Sequence, residues 1–369
     1  MKIVIFGLSI TSSWGNGHAT TFRALARALH SRGHRIVFFE KDVEWYASNR
    51  DLPNPEFCDL HLYEEWDAVV PQARRHLADC DVAVVGSYFP NGIAATNLVF
   101  DSPARAKTFY DIDTPITIAK LRESGVTEYL RADQIAGFDV YFSFTGGPTL
   151  REIEARFGAT AAVPLYCSFD PDKYHRFPVA KRFTCDLSYM GTYAPDRQPK
   201  IDDLLCAPAR LLPDRHFIVA GPQYPRKVKW PANVRRINHL NPRWHPHFYS
   251  SSRLTLNVTR RDMVMAGYSP SVRLFEAAAC GATIVSDNWP GLESFFTPGE
   301  QILLPTTAED VVRYLRTLDE AALHSIGKRA QERVLAEHTS DMRAQQFERA
   351  VERTYTGNGQ DASREAIVS

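Results

Sequence analysis

The sequence predicts two α/β domains in series, each a doubly wound parallel sheet with helices on both faces. The 369 residues are too many for one ordinary core and suit two domains of roughly 150 to 180 residues each. Short apolar segments rich in Val, Ile and Phe alternate with amphipathic helical segments in both halves. A strand, a helix and a second strand within about 40 residues form a right-handed βαβ unit, which implies a parallel sheet.

The first half carries the clearest βαβ unit. A helix is predicted over residues 18–32, where apolar residues recur at i, i+3, i+4 and i+7, and Gly33 is placed to end it in a left-handed conformation. Asp113, followed by Thr114 and Pro115, is predicted to cap a later helix. The predicted strands of this half are 2–8, 35–40, 82–86, 107–110, 140–144 and 161–165.

The second half repeats the alternation. We predict an N-terminal domain over residues 1–167, an Asp- and Pro-containing linker over 168–183 and a C-terminal domain over 184–340. A helix over 341–355 is expected to pack back toward the first domain, and the polar tail 356–369 is expected to be disordered. The predicted strands are 187–190, 216–220, 234–237, 254–258, 283–286 and 302–304, and the clearest helices 272–280, 308–318 and 320–338.

The composition and the distribution of apolar residues indicate which binding partners and which cellular location to expect. Lys plus Arg and Asp plus Glu are both 43, so no net charge draws the chain toward nucleic acid or anionic lipid. Six cysteines with no CxxC pair indicate reduced thiols of a cytoplasmic protein. The first apolar run turns polar by Thr11, which favours a core strand over a signal peptide. No run of about 18 apolar residues is present, so no transmembrane segment is expected.

Two segments resemble glycosyltransferases of the GT-B fold. Residues 15–42 carry a Gly-rich turn, a His and an amphipathic helix ending in RGH, in the sequence GNGHATTFRALARALHSRGHRIVFFEKD. Residues 269–296 are similar to the nucleotide-sugar motif of the family 4 enzymes (glycosyl transferases group 1), in the sequence SPSVRLFEAAACGATIVSDNWPGLESFF. Together with the DIDTP and MGTYAPDRQPK segments, they make the chain most similar to the CgeB-type branch.

The resemblance implies a fold and an activity. It implies two Rossmann-like domains facing a central cleft, and a transferase of the hexosyltransferase type. Such an enzyme moves a sugar from a nucleoside diphosphate sugar to an acceptor hydroxyl. The donor is expected to be a UDP-, GDP- or TDP-sugar. The acceptor stays open among glycan, protein, lipid, metabolite and modified nucleic acid.

The resemblance places the donor on the second domain. Ser269 and Ser271 precede a helix that starts at Val272, and the free amides and positive end of that helix favour a diphosphate. Arg273 in its first turn adds a forked phosphate contact. Glu276 is expected to accept hydrogen bonds from the ribose hydroxyls.

A second donor segment follows the first strand of that domain. Gly191 ends the strand, where a tight turn lets the backbone approach a phosphate. In related enzymes an Arg and a Lys at this place contact the diphosphate, which implies that role for Arg197 and Lys200 in place of a metal ion. The remaining donor-side residues expected from the resemblance are Tyr193, Gly221, Asn238 and His239.

One position departs from the family pattern. The family 4 enzymes usually carry a second Glu eight residues before the ribose-binding Glu, and this chain has Tyr268 there. A phenol does not supply the same charge near the anomeric carbon. Whether the reaction inverts or retains the configuration therefore stays open.

The first loop is the expected acceptor side. Gly15 and Gly17 flank Asn16, so the loop is free to adopt positive φ angles. Trp14 is expected either to stack on an acceptor ring or to pack internally. His18 at the helix entrance suits a general base because imidazole titrates near neutral pH.

Two aspartates after a predicted strand offer a different chemistry. Asp111 and Asp113 form a DxD pair, which binds a divalent cation in the other main transferase fold. That fold has one nucleotide domain, whereas this sequence predicts two, so we expect no metal and no cofactor beyond the donor. Asp113 is instead a second acid–base candidate, and Asp111 an acceptor contact.

Two further functions are compatible with the same two-domain fold. A nucleotide-sugar epimerase shares it but needs additional carboxylates around the sugar, and the sequence shows no convincing set. A non-catalytic protein that binds a nucleotide sugar or a glycan is the other alternative, and Tyr268 favours it.

Overall fold

The computed structural model describes residues 1–14 and 17–356 and divides the chain into two compact units. Of the described residues, the first unit contains 1–167 and 340–356, and the second is Ser168–Thr339. The polypeptide therefore leaves the first unit after Cys167 and returns to it at Ser340. Residues 168–183, predicted as a linker, belong to the second unit. Of the predicted tail, residues 357–369 lie outside the described residues.

The first unit is built on a parallel sheet. Its strands are β1 (Lys2–Phe6), β2 (Arg35–Lys41), β3 (Asp59–Tyr63), β4 (Val82–Gly86), β5 (Ala106–Asp111), β6 (Val140–Ser143) and β7 (Ala162–Pro164). Over the described residues these form a seven-stranded sheet in the order β3-β2-β1-β4-β5-β6-β7. The order reverses direction between β1 and β4, and the carboxyl ends of strands at such a point are where doubly wound sheets bind ligands.

The first helix packs closely on this sheet because two glycines leave room for its aromatic side chain. A Cβ at Gly86 would lie 2.8 Å from the Phe22 ring of this helix, and one at Gly7 would lie 3.2 Å from the same ring and 2.3 Å from the Phe38 ring of β2. Gly33 has φ +87 and follows the helix, as the sequence predicted. The helices of this part are α1 (His18–Ser31), α2 (Glu44–Ala47), α3 (Trp66–Leu77), α4 (Gly92–Phe100), α5 (Thr114–Ser124) and α6 (Pro148–Phe157), with a 3-10 helix at Ala132–Gly137.

The second unit has its own parallel sheet. Its strands are β8 (Cys185–Met190), β9 (Phe217–Ala220), β10 (Val234–Ile237), β11 (Ser252–Asn257) and β12 (Thr283–Ser286). In the part of the chain that the structure describes, they form a five-stranded sheet in the order β10-β9-β8-β11-β12. The predicted strand 302–304 is wrong, since Leu303 makes an isolated bridge to Val285 and Pro305 then removes the next backbone donor.

Helices complete the second unit and return the chain to the first. They are α7 (Gln198–Ile201), α8 (Ala207–Leu211), α9 (His245–Ser250), α10 (Arg261–Ala266), α11 (Val272–Ala279), α12 (Ala308–Thr317), α13 (Glu320–Glu337) and α14 (Ser340–Tyr355). A π-helix at Asp202–Cys206 joins α7 to α8, and 3-10 helices lie at Lys181–Phe183, Pro242–Trp244 and Leu292–Ser294. Two doubly wound parallel sheets are thus confirmed. Among the described residues, no helix is long and apolar enough to cross a membrane.

The last helix, α14, belongs to the first unit and packs on α1, β5 and β6. Its Glu348 accepts from Arg32 at 2.7 Å and lies 2.6 Å from His34 Nε2. The Phe347 ring stacks on Phe142 with centroids 5.0 Å apart. Polar and apolar contacts therefore both hold this helix against the sheet.

Candidate functional site

A cluster of arginines lies at the carboxyl ends of the central strands of the second sheet. Arg273 is the second residue of α11, and its guanidinium donates to the Met190 carbonyl and, at 2.8 Å, to Asn257 Oδ1. Its guanidinium carbon lies 5.1 Å from the centroid of the Tyr189 ring. These contacts to the ends of β8 and β11 fix the orientation of the cation.

Arg197 is the second member of the cluster and is largely buried. Burial lowers the pKa of its guanidinium, and the positive charges of Arg273 and Arg260 lower it further. It donates to the Thr192 carbonyl, but its buried Nε has no hydrogen-bond partner among the described residues. The buried hydroxyl of Tyr189 likewise has none within the described chain. Buried donors without acceptors, next to cations that repel each other, make this a candidate anion site.

The amino end of α11 adds to this anion site. Val272 and Arg273 are in its first turn, where backbone amides have no intrahelical acceptor and the helix dipole is positive. Ser271 precedes the helix and donates its hydroxyl to Asn257 Oδ1 at 2.7 Å. Ser269 is buried at 0% exposure, and its predicted part in donor binding stays a prediction.

Glu276 lies one turn further along α11 and is buried, with 5% of its surface exposed. Burial raises the pKa of its carboxyl to about 7, although the hydroxyl of Tyr174, the charge of Arg273 and the hydroxyl of Tyr249 oppose this rise. A carboxyl on a buried helix face among these groups differs from an ordinary surface glutamate. It is poised to change its protonation state near neutral pH.

The loops after β8 and β9 approach each other through two glycines. Gly221 has φ +142, and a Cβ there would lie 2.0 Å from the Gly191 carbonyl oxygen. Arg236 donates to the carbonyls of Val219 at 3.0 Å and Gly221 at 2.8 Å, and the Tyr224 hydroxyl donates to Gly191 at 3.2 Å. The backbone beside the arginine cluster is therefore held in one conformation.

The other predicted donor residues lie around this core. The Tyr193 ring packs against Tyr224 with centroids 5.4 Å apart, and its backbone amide donates to Pro222. Lys200 is exposed on α7, and Asn238 and His239 are exposed after β10. Their contacts with a ligand stay predictions.

The first unit brings His18 and Asp113 together. His18 begins α1 and is 6% exposed, and its Nε2 lies 3.0 Å from Asp113 Oδ2. Asp113 immediately precedes α5, but its carboxylate pairs with His18 instead of capping the helix as predicted. The Tyr88 ring meets the imidazole edge-on at 5.5 Å. A carboxylate that orients an imidazole is the arrangement of a general base with its supporting group.

Asp111, predicted on the acceptor side, lies in the interior of the first unit. It is fully buried, and its carboxylate accepts from Tyr141 at 2.5 Å, Thr117 at 2.8 Å and the Asp113 amide at 3.3 Å. Burial raises the pKa of this carboxyl to about 6, against the effect of these hydrogen bonds. The predicted acceptor-side role stays a prediction, and the buried Asp111 carboxylate positions the segment that carries Asp113.

The loop before His18 is anchored by an acidic residue that the sequence did not single out. Glu40, near the end of β2, is 0% exposed and accepts from the hydroxyl of Ser9 at 2.9 Å and the amides of Ile10 and Thr11 at 2.6 and 3.0 Å. A buried carboxylate with several donors makes this turn rigid.

The remaining loop predictions have mixed outcomes. Gly17 has φ −86, so the expected positive φ is wrong there, because Gly17 already follows the helical course of α1. Trp14 is half-buried, and Gly15 and Asn16 lie outside the described residues. Their contacts with an acceptor stay predictions.

Two supporting residues of the second unit were also missed. Asn257 ends β11 and bridges Ser271 and Arg273. Asp287 follows β12 and accepts from the amide and hydroxyl of Thr259 at 3.1 and 3.0 Å. Both residues could have been found from the sequence, because each is a polar residue at the end of a buried parallel strand.

Comparisons with known proteins agree with this architecture. Residues 197–349, which include Arg197, Arg273 and Glu276, match the sequence model of a family described as glycosyl transferase-like. A sucrose-phosphate synthase from Thermosynechococcus elongatus is 13% identical, with a TM-score of 0.67 over 97% of this chain and 100% of that chain. The fold is that of the GT-B glycosyltransferases.

Two further solved structures share this GT-B fold. HepE of Anabaena in complex with UDP-glucose is 13% identical, with a TM-score of 0.69 over 97% of this chain and 100% of that chain. An alpha-glucosyltransferase in complex with UDP-glucose and DNA containing an abasic site is 13% identical, with a TM-score of 0.64 over 95% of this chain and 98% of that chain. No curated protein sequence matches the chain significantly.

Proposed function

We propose that the protein is a glycosyltransferase that moves a sugar from a nucleoside diphosphate sugar to an acceptor hydroxyl without a metal ion. The observation that carries this proposal is Arg197, a half-buried cation whose buried Nε has no hydrogen-bond partner and which has no ion-pair partner among the described residues. A diphosphate supplies the anionic oxygens that Arg197 and the Tyr189 hydroxyl lack. Support comes from the two GT-B neighbours that were solved in complex with UDP-glucose.

The arginine cluster accounts for leaving-group departure. As the bond from the sugar to the diphosphate breaks, negative charge grows on the departing phosphate oxygen. Arg273 is held by Met190 and Asn257, so its charge is already oriented and needs little reorganisation during the reaction. With Arg197 beside it and Lys200 on α7, the site replaces the charge of a divalent cation.

Other residues would hold the nucleoside. Glu276 accepts from ribose hydroxyls in this proposal, and the amides of Val272 and Arg273 contact the diphosphate. Asn238 and His239 lie after β10, beside the loop that contains Gly221, and are assigned to the nucleobase.

Proton transfer is assigned to the first unit. Nε2 of His18 faces Asp113, so the buried Nδ1, which has no hydrogen-bond partner among the described residues, accepts the acceptor hydroxyl proton in this proposal, and Asp113 stabilises the imidazolium that results. Trp14 and the segment 15–17 are assigned to acceptor binding. All six cysteines lie in the described chain and none of them forms a disulfide, which supports a cytoplasmic location in this proposal. We assign a hexosyl donor and the CgeB-type branch on the sequence motifs.

A donor panel tests the proposal directly. The melting temperature is measured with UDP-, GDP- and TDP-sugars, and nucleoside diphosphate release is measured with and without candidate acceptors. We expect one nucleotide class to stabilise the protein by about 2.7 kcal/mol at a hundredfold excess over its Kd. Release that requires an acceptor supports transfer, whereas binding without release supports a non-catalytic binder. An altered sugar without release supports an epimerase. No shift with any nucleotide sugar would contradict transfer, epimerisation and nucleotide-sugar binding, and would leave only a glycan binder.

The catalytic pair makes a separate prediction. His18→Gln is expected to lower the turnover by about 10²- to 10⁴-fold, since a positioned base contributes that much. Donor binding depends on the second unit, so the donor-induced melting shift should stay within a degree of wild type. The exposed His30 of the same helix offers a matched control, His30→Gln, with unchanged turnover. Equal rates for His18→Gln and wild type would assign the base elsewhere.

Removing metal ions with a chelator tests whether the arginines, and not a metal ion, stabilise the leaving nucleoside diphosphate. With excess EDTA, turnover at a temperature well below melting is expected to stay within twofold of the untreated rate, because guanidinium groups supply the charge. A tenfold or greater loss that Mg²⁺ or Mn²⁺ restores would show that a cation is needed after all.

A further inference from the structure

Two histidines and an aspartate converge at the amino end of β3, the opposite end of the first sheet from His18 and Asp113. Asp59 and His61 are two apart on the strand, so their side chains point to the same face. His76 comes from the last turn of α3, which packs on that strand. One donor atom from each lies within 4.8 Å of the others.

The His61 ring is held on several sides. The Gln72 amide nitrogen lies 2.7 Å from His61 Nδ1, and the ring stacks on Phe39 with centroids 4.9 Å apart. The buried Nε2 has no hydrogen-bond partner among the described residues, with Asp59 Oδ1 3.5 Å away and the His76 ring centroid 4.7 Å from its own. The Gln72 amide therefore orients Nδ1 of His61. Nε2 of the same ring faces the Asp59 carboxylate and the His76 ring and has no hydrogen bond to a described residue.

We propose that Asp59, His61 and His76 bind a divalent transition metal ion of the Zn²⁺ class. Imidazole nitrogen with one carboxylate oxygen suits this class, and a water completes a tetrahedral site. Bonds of about 2.0–2.2 Å place tetrahedral ligand atoms roughly 3.5 Å apart, so the side chains close by about 1 Å on binding. Asp59 is able to make this movement because its side chain is 44% exposed.

Metal binding sets the role of Gln72. Metal-bound imidazoles donate their other ring N–H to an oxygen acceptor. Rotation of the Gln72 amide by half a turn brings Oε1 to His61 Nδ1, which then donates and leaves the lone pair of Nε2 for the metal. Gln72 is one turn before His76 on the same face of α3, so both act from one helix.

A neighbouring cation competes with the metal. Arg35 lies 3.6 Å from Asp59 Oδ2, but its side chain is 63% exposed and is able to leave for solvent. Lys2, the other nearby cation, is paired with Asp79. Removing the charge of Arg35 should therefore strengthen metal binding, the opposite of what removing a ligand does.

The position of the site indicates what it stabilises. β3 is the edge strand of its sheet, with β2 on one side. A metal that joins β3 to α3 holds this edge in place and hinders pairing with another chain. None of these residues is assigned to donor or acceptor, so the inference is independent of the proposed transfer.

Titration of tag-free, full-length protein with ZnCl₂ tests the inference, by melting temperature and by the visible absorption of Co²⁺ as a substitute. We expect a saturable rise in melting temperature at one equivalent and tetrahedral Co²⁺ bands. His61→Ala and His76→Ala should lose both signals, and His30→Ala should retain them. Wild-type protein without a saturable effect, or both signals unchanged in the two ligand variants, would overturn the inference.

Two variants that keep all three ligands guard against misfolding as an explanation. Gln72→Leu is expected to weaken Zn²⁺ affinity by roughly 10- to 100-fold. Arg35→Gln is expected to strengthen it severalfold, because the competing cation is gone. Opposite shifts support the site, and identical affinities in both variants and wild type would contradict it.

Discussion

Replacing Arg197 with Met is expected to lower turnover by about 10²- to 10³-fold and to remove most of the donor-induced rise in melting temperature. The same change should raise the melting temperature of the ligand-free protein. Arg197 is buried next to Arg273 and Arg260 with an unpartnered Nε, so the free protein bears a desolvated and repelled cation. Its removal should add about 0.5–2 kcal/mol to the free energy of unfolding.

The opposite signs of these two effects separate anion binding from a structural role. Replacing an arginine that serves the fold would make the protein less stable. Replacing an arginine that is positioned to bind an anion makes the ligand-free protein more stable. Arg316 is exposed on α12 of the same unit, and Arg316→Met is the matched control with neither effect. A less stable ligand-free Arg197→Met protein that keeps the full donor shift would remove the main support for the proposed function.

Glu276→Gln is expected to stabilise the ligand-free protein above pH 7 and to have little effect near pH 4.5. The folded pKa of about 7 lies above the ordinary value of 4.5, so the folded state holds a proton that the unfolded state releases. Wild-type stability therefore falls as the pH rises from 4.5 to about 7 and then levels off, by roughly 3 kcal/mol in all. A neutral amide avoids this loss.

The same variant should weaken donor binding, because the amide replaces a carboxylate that accepts from ribose hydroxyls. Melting curves between pH 4.5 and pH 8.5, with and without donor, measure both effects. Glu293 is exposed in the same unit, and Glu293→Gln should melt like wild type at every pH. A wild-type and Glu276→Gln difference that does not change with pH would show that Glu276 has an ordinary pKa.

Much of the fold was predictable because most strands are continuous apolar runs buried on both faces. The strands at 82–86, 234–237 and 283–286 have the predicted bounds. β3 was missed because its sequence DLHLY alternates polar and apolar residues at an edge of the sheet. The segment 302–304 has the apolar composition of a strand but makes isolated bridges with single residues.

The sequence predicted which residues form the candidate site, but not how buried they are or which hydrogen bonds they make. The resemblance singled out Arg197, Arg273 and Glu276, yet it did not indicate that Glu276 is buried or that Arg197 has an unpartnered nitrogen. Asp111 shows the reason most clearly. Its main partner, Tyr141, is 30 positions away, and contacts over such separations depend on the sheet order.

The position of α14 in the chain affects how the protein is made. The sheet it covers is translated first, but this helix emerges from the ribosome only after the whole of Ser168–Thr339. Arg343, 2% exposed and donating to the Tyr166 carbonyl at 3.1 Å, can take its place only then. During translation, the surface of the first unit that α14 covers therefore stays exposed until α14 has been synthesised. An exposed surface of this kind is open to chaperones and proteases.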